Sequence, residues 1–426
     1  MTAILIRNGR VIDPQQKLDE VTNLLVRDGC IEQIGAADDA ADQVIDASSL
    51  IVAPGLVDTN AQLREPGFEE DETIESACRA ALAGGYTSLA CLPNTDPPID
   101  TPSGVEFVKQ VAARAGLARV HVIGCLSKNR EGQQLAEIGT LVEAGAVAFS
   151  DAPRAVSNTD LMRRALQYCL MFDKPIFSHA EMVELSQEGI MHNGLTSLVL
   201  GLSGLPADAE DVMTSRDLRL AESTGGQLHF LNVSTADSVE QIRRARSRGV
   251  RATAGINAAH FSWLDESLRT LDSNYKINPP LRSQRHLDAC IEGLIDGTID
   301  VIASGHAPRA SEKKMLVLDR APFGMLQLES TLSLVNRHLI QPGHLDWSTA
   351  LAKLTCNPAQ LLGLPHGTLA QGSAADIVIF NPQLEWTLDA SQLSSRSRNT
   401  PLDGDTMIGR VSCVLVDGQV KYENQP

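Results

Sequence analysis

The sequence predicts an α/β protein: a (β/α)8 TIM barrel carrying a small β-sandwich domain built from both termini. Three observations predict it. Eight short apolar runs alternate with helix-length segments through the middle of the chain. β-Branched runs separated by turn dipeptides fill both ends. The 426 residues, 43% of them hydrophobic, are enough for one large barrel and an appended layer. The expected division is residues 1–54 with 365–426 for the β domain, and 55–364 for the barrel.

At the N-terminus, "AILIRNGRVID", "NLLVRDGCIEQIG" and "QVIDASSLIVAPG" read as strands broken at Asn-Gly, Asp-Gly and Gly-Ala. At the C-terminus, "SAADIVIFNP", "EWTLD" and "GRVSCVLVDGQVKYEN" have the same grammar, with a hairpin turn expected at Val416-Asp417-Gly418-Gln419. The barrel strands are "LIVAPGLVDT", "YTSLACLP", "RVHVIGCL", "AVAFSD", "PIFSHAE", "QLHFLNVS", "VRATAGI" and "DVIASGHAP". Their unbroken apolar character fits parallel strands covered on both faces. Helices are expected over Ile74 to Ala83, Thr159 to Phe172 and Thr235 to Arg248, among others. "LSSRSRN", residues 393–399, reads as a solvated basic connector.

Composition narrows the function. A net charge of -17 argues against nucleic acid or an anionic membrane as the main partner. The 8 cysteines are scattered without a CxxC, as expected of buried, reduced thiols. "MTAILIRNGRVIDP" does not read as a signal peptide, and no run is apolar enough to span a bilayer, so a cytoplasmic protein is expected. "AGGY" lacks a phosphate-loop frame, and the three tryptophans form no evident stacking platform.

In such a barrel the working residues follow the strands. Here these are Asp58, Asn60, Gln62 and Arg64; Asn94; Asp151; His179 and Glu181; Asn232; Asn257; and Gly305 to Arg309. "PGLVDxxxxLREPGFEExETIESACRAALAGGYTSLACLPNT", then "VAFSD", "SHAE", "NVST", "NPPLR", "HAP" and "SRNTP", resemble the dihydroorotase family of the amidohydrolase superfamily in order and spacing. The resemblance implies a zinc-activated water that opens a cyclic amide. Its zinc ligands would be two histidines from strand 1, an aspartate from strand 4 and histidines from strands 5 and 6, with a proton-handling aspartate after strand 8.

Four of those positions are changed. The strand 1 histidines fall on Asn60 and Gln62, the strand 6 histidine on Asn232, and the strand 8 aspartate on Gly305. Asp151 and His179 remain as vestigial ligands, too few for a catalytic zinc. His229 lies three residues before Asn232 and therefore on the opposite strand face. On the ligand side the resemblance assigns Arg64 to a substrate carboxylate and Asn94 and Asn278 to ligand contacts, while Arg309 replaces a histidine.

The expectation is therefore a chain that is not an enzyme, without metal or other cofactor. It resembles the noncatalytic dihydroorotase-like subunits that accompany the catalytic chain of aspartate carbamoyltransferase in some bacteria and themselves associate as dimers. Two other readings stay open. One is a ligand-sensing module for carbamoyl aspartate or dihydroorotate. The other is a cyclic-amide hydrolase with an atypical metal site at Asp151 and His179.

Overall fold

The computed structural model describes residues 3–35 and 41–424. Eight parallel strands form the barrel: Leu56–Ala61, Tyr86–Cys91, Arg119–Cys125, Ala148–Ser150, Ile176–Ser178, Leu228–Phe230, Ala252–Asn257 and Val301–Ala303, each beside the next. A parallel bridge between Ala61 and His306, with Gln62 N–H donating to His306 O at 2.9 Å, draws the last strand to the first. The closure matters for function, because it brings Asn60 and Gln62 beside Gly305.

A second sheet unites the two ends of the chain. Its order is Gln419–Glu423, Thr406–Val416, Ile377–Thr387, Ile51–Pro54, Ala3–Asp13, Leu18–Arg27 and Cys30–Ile34, with Gln43–Asp46 beside Ala3–Asp13. The seam is the antiparallel pairing of Ile377–Phe380 with Ile51–Pro54. Asp28-Gly29 and Asp417-Gly418 are the expected hairpin turns, all four residues having positive φ as a type I′ turn requires.

Several local expectations are corrected. "LIVAPGLVDT" is two strands. Pro54 ends the sheet strand, and Gly55 turns into the barrel where a Cβ would lie 2.2 Å from Thr87 Oγ1. Asn8-Gly9 is a bulge inside one strand, because the register slips between Ile6 and Gly9. "EWTLD" continues the strand begun by "DIVIFNP" through an irregularity at Asn381–Glu385. In the Gly-Ala break, Ala36 falls outside the described residues.

The helices follow their caps. Thr73 and Ser76 form a capping box at Ile74–Ala83, and Thr235 caps Ala236–Ser247. Thr159–Leu170 stops two residues before Phe172. The 393–399 segment is the clearest misreading. Ser395, Ser397 and Asn399 are buried, with Ser395 bonded to Glu72, Ser397 to the Asp71 carbonyl, and Asn399 to Ala307 and Arg309. A polar segment looked solvated because its partners lie between 90 and 326 residues away in the chain. All 8 cysteines are unpaired, and among the described residues no helix is long and apolar enough to cross a membrane.

Candidate functional site

The C-terminal ends of the barrel strands surround a cavity of about 200 Å³. Six carboxamides line it: Asn60, Gln62, Asn232, Asn257, Asn278 and Gln327, joined by His179 and Arg309. Asn60 and Gln62 share a strand face, as residues two apart must. Asn60 Nδ2 donates to Asn257 Oδ1 at 3.0 Å, and Gln62 Oε1 accepts from Asn94 Nδ2 at 3.0 Å. The Gln327 Oε1 is buried without a hydrogen-bond partner. A carboxamide offers two donors and an acceptor, so this wall is neutral yet rich in hydrogen-bonding groups.

One side of the wall carries a titratable pair. His179 Nε2 lies 2.9 Å from Glu181 Oε2, which also accepts from Asn278 Nδ2 at 2.8 Å. Burial raises the Glu181 carboxyl, but the hydrogen bonds and charge of His179, with help from Asn278, overcome it and bring the pKa down to about 2. His179 Nδ1 is 3.4 Å from Asn232 Oδ1.

Two arginines complete the surroundings of the cavity, Arg309 in its lining and Arg64 outside it. Arg309 donates from Nε to Phe323 O at 3.0 Å and approaches Asp71 at 3.5 Å. Arg64 is buried behind the cavity wall, with Nε donating to Pro308 O and Nη2 unpartnered. Burial, then repulsion from Arg309, lowers its pKa to about 9. Of the three ligand contacts expected, only Asn278 borders the cavity. Asn94 stands behind Gln62, with its Oδ1 buried and unpartnered.

The residues do not fit the family's zinc. Asp151 Oδ1 accepts the Leu126 and Ser127 amides, each at 3.0 Å, and Oδ2 accepts the Ser127 hydroxyl. Asp151 and His179 are thus engaged with separate partners rather than with each other. Asn60 is tied to Asn257, and one nitrogen of His179 to Glu181. Gly305 has φ +67°, and a Cβ there would lie 2.5 Å from Asn257 Cγ. The place of the family's acid is thus closed as well as empty. Among the described residues no three His, Cys, Asp or Glu side chains are grouped to hold a metal. His229 points away as expected, buried against Phe177 and bonded to Thr253 Oγ1 at 2.9 Å. His306 is packed beside Glu72.

Sequence reasoning placed Asn257 at a strand end without giving it a role, and it missed Gln327. Asn257 carried a usable signal, as the last residue of a barrel strand. Gln327 carried none, since it reaches the cavity from the loop after the last barrel strand.

Comparison with known proteins defines the lineage. A model of the amidohydrolase family matches residues 51–421. A dihydroorotase of Pelotomaculum thermopropionicum is 45% identical over 99% of both chains. A dihydroorotase of Syntrophotalea carbinolica is 44% identical over 98% of this chain and 99% of its own. The structure of an L-hydantoinase (dihydropyrimidinase) from Arthrobacter aurescens superposes with a TM-score of 0.89 at 25% identity, covering 99% of this chain and 96% of that one.

These relatives overturn the expectation that the chain is not an enzyme. Proteins named for a hydrolytic activity resemble it from end to end. The expectation rested on a count of zinc ligands, which tests one mechanism only. It did not foresee what the structure brings together: a cavity with a carboxamide wall, the His179–Glu181 pair, the half-buried Arg309 and the buried Arg64 behind it. By sequence and by fold, the chain belongs to the amidohydrolase family.

Proposed function

We propose that this chain recognises a cyclic amide of the dihydropyrimidine class and its ring-opened ureido acid, dihydroorotate and carbamoyl aspartate being the pair that fits. One observation carries this: the six-carboxamide wall with Arg309 at its edge. The ring's alternating N–H and C=O groups need partners that both donate and accept, which carboxamides supply without a charge mismatch. The ligand's carboxylate would meet Arg309. It would also relieve the repulsion between Arg309 and Arg64, which adds to the effect of burial in lowering Arg64.

Proton handling falls to His179. Nε2 faces Glu181 Oε2 and Nδ1 faces Asn232 Oδ1, so the ring is placed to donate from both nitrogens, and Nδ1–H is the proton it can give to a ring nitrogen and take back from water. No step runs through zinc, because the donors that would hold it are engaged elsewhere.

The same reading includes the catalytic chain of aspartate carbamoyltransferase as a cytoplasmic partner, alongside self-association. What supports a partner is an apolar surface on the Leu195–Leu200 helix, where Leu195, Leu198 and Val199 are 72%, 79% and 61% exposed.

Calorimetric titration with dihydroorotate and with carbamoyl aspartate tests the ligand, and interconversion of the two, followed with wild type and His179→Ala, tests the chemistry. Saturable heat from either compound, weakened by Arg309→Ala, is expected. No heat from both, with the barrel folded, sinks the proposal. Co-expression with the transcarbamoylase chain and sizing of the product tests the partner, and separate elution removes it.

A further inference from the structure

A larger cavity, of about 430 Å³, lies away from the barrel mouth, in the seam between the barrel and the terminal sheet. One wall comes from the end of the first barrel helix and from Glu329 and Leu332. The other comes from Trp386, Arg410 and Tyr422 of the sheet. Glu329 is the unusual member. Its Oε1 accepts the backbone amides of Ser394 at 2.8 Å and Ser395 at 3.3 Å. Oε2 takes no hydrogen bond among the described residues, and no ion pair reaches the carboxylate. Arg398 acts on it only from a distance, because its Nη1 is held by the carbonyls of Ser395 and Ser397.

A carboxylate set in protein with one free edge on a cavity is poorly compensated. The rest of the lining adds Asp389 and Glu423 against the single cation Arg410. Asp389 is spent on Ser391, and Arg410 is stacked on Trp386, its guanidinium carbon 4.8 Å from the ring centre. The Tyr422 hydroxyl has no hydrogen bond within the protein among the described residues. The cavity thus offers a free carboxylate edge, a free phenol and aromatic surface, and its charge is net negative.

We propose that this seam cavity is a second binding site, for a small flat organic cation whose N–H groups meet Glu329 and Tyr422. An amidinium, a guanidinium or a protonated ring amine has the required plane of donors. The site is independent of the barrel pocket and does not rest on its assignment. Burial raises the Glu329 carboxyl to about 7, so a cation arriving near neutral pH also displaces a proton.

Benzamidine is the probe, and neutral benzamide of nearly the same shape is its control. Calorimetry on the full chain is expected to show saturable benzamidine binding and none for benzamide. Glu329→Gln, which keeps an oxygen for the Ser394 and Ser395 amides, should weaken benzamidine by at least about tenfold. Tyr422→Phe should weaken it less, and His179→Ala in the barrel pocket should leave it unchanged. Equal binding of benzamide and benzamidine by wild type overturns the proposal and needs no variant to fold. So does undiminished binding by Glu329→Gln, or no saturable binding at millimolar benzamidine.

Discussion

The floor of the barrel pocket and the shell around it treat charge in opposite ways. The floor is lined by carboxamides. Around it five buried carboxylates, Asp58, Glu72, Asp151, Glu210 and Asp217, each accept a serine hydroxyl: from Ser304, Ser395, Ser127, Ser234 and Ser178. All but Asp217 also accept backbone amides. The shell's acids therefore tie separate segments of the chain together, with both oxygens hydrogen-bonded. The difference teaches that a carboxylate retained at the mouth of such a barrel is not by itself a vestige of metal binding. Asp151 is held as tightly as Asp58.

The largest break in this contrast should come from Glu210. It binds the amides and hydroxyls of Ser234 and Thr235 and faces Arg282, itself 5% exposed. Glu210→Ala strands a buried guanidinium and should cost about 3–5 kcal/mol in urea unfolding. A loss near zero would mean that these ties are decorative. A floor residue such as Asn60→Ala, losing one neutral hydrogen bond to Asn257, should cost only about 1 kcal/mol.

Two glutamates sharpen the contrast through pH. Glu181, held down to about 2 by His179 and Asn278, binds fewer protons folded than unfolded; its stabilisation is present above about pH 4.5 and lost as pH falls toward 2. Glu329, raised to about 7 by burial, binds more protons folded than unfolded; stability is lost as pH rises from about 4.5 through 7. Each effect has a ceiling on the order of 3 kcal/mol. Glu329→Gln should therefore gain on wild type between pH 5 and about 8, whereas Glu181→Gln should lose to it above about pH 5 and converge below 3. Parallel curves for the two variants would show that their environments are not opposed.

Much of the frame was legible because its signals are local. Each apolar run marked a barrel strand, and Asp417-Gly418 marked its hairpin. Asn60, Gln62 and Asn232 were found by their place after strands. What stayed hidden was non-local. Ser395 meets Glu72 across 323 positions and Ser304 meets Asp58 across 246, and no periodicity reports such pairs. The same blindness turned a buried clasp at 393–399 into a solvated loop. It also let four substitutions stand for a whole function, since the His179–Glu181–Asn278 arrangement depends on loops far apart in the chain.

Putting the family's acid back tests whether the floor could be made like the shell. Gly305→Asp places a side chain at φ +67° against Asn257, so it should cost about 1–3 kcal/mol by backbone strain and crowding. Adding Asn60→His and Gln62→His should not yield stoichiometric zinc by metal analysis, because Asp151 remains engaged with Ser127. Tight zinc in that triple variant would show the Asp151 tie to be easily broken.

The smallest effect is expected on the outer surface. Leu198→Ser on the Leu195–Leu200 helix removes an apolar side chain that is 79% exposed and contributes little to the fold. The stability of the isolated chain should change by no more than about 0.5 kcal/mol. The same substitution reads differently in an assembly. A partner covering Leu195, Leu198 and Val199 would hold weakly to the variant, and sizing of co-expressed chains would show it as a loss of the large species. A shift in unfolding midpoint of the chain alone would instead assign this helix to folding, and the apolar face would no longer support a partner.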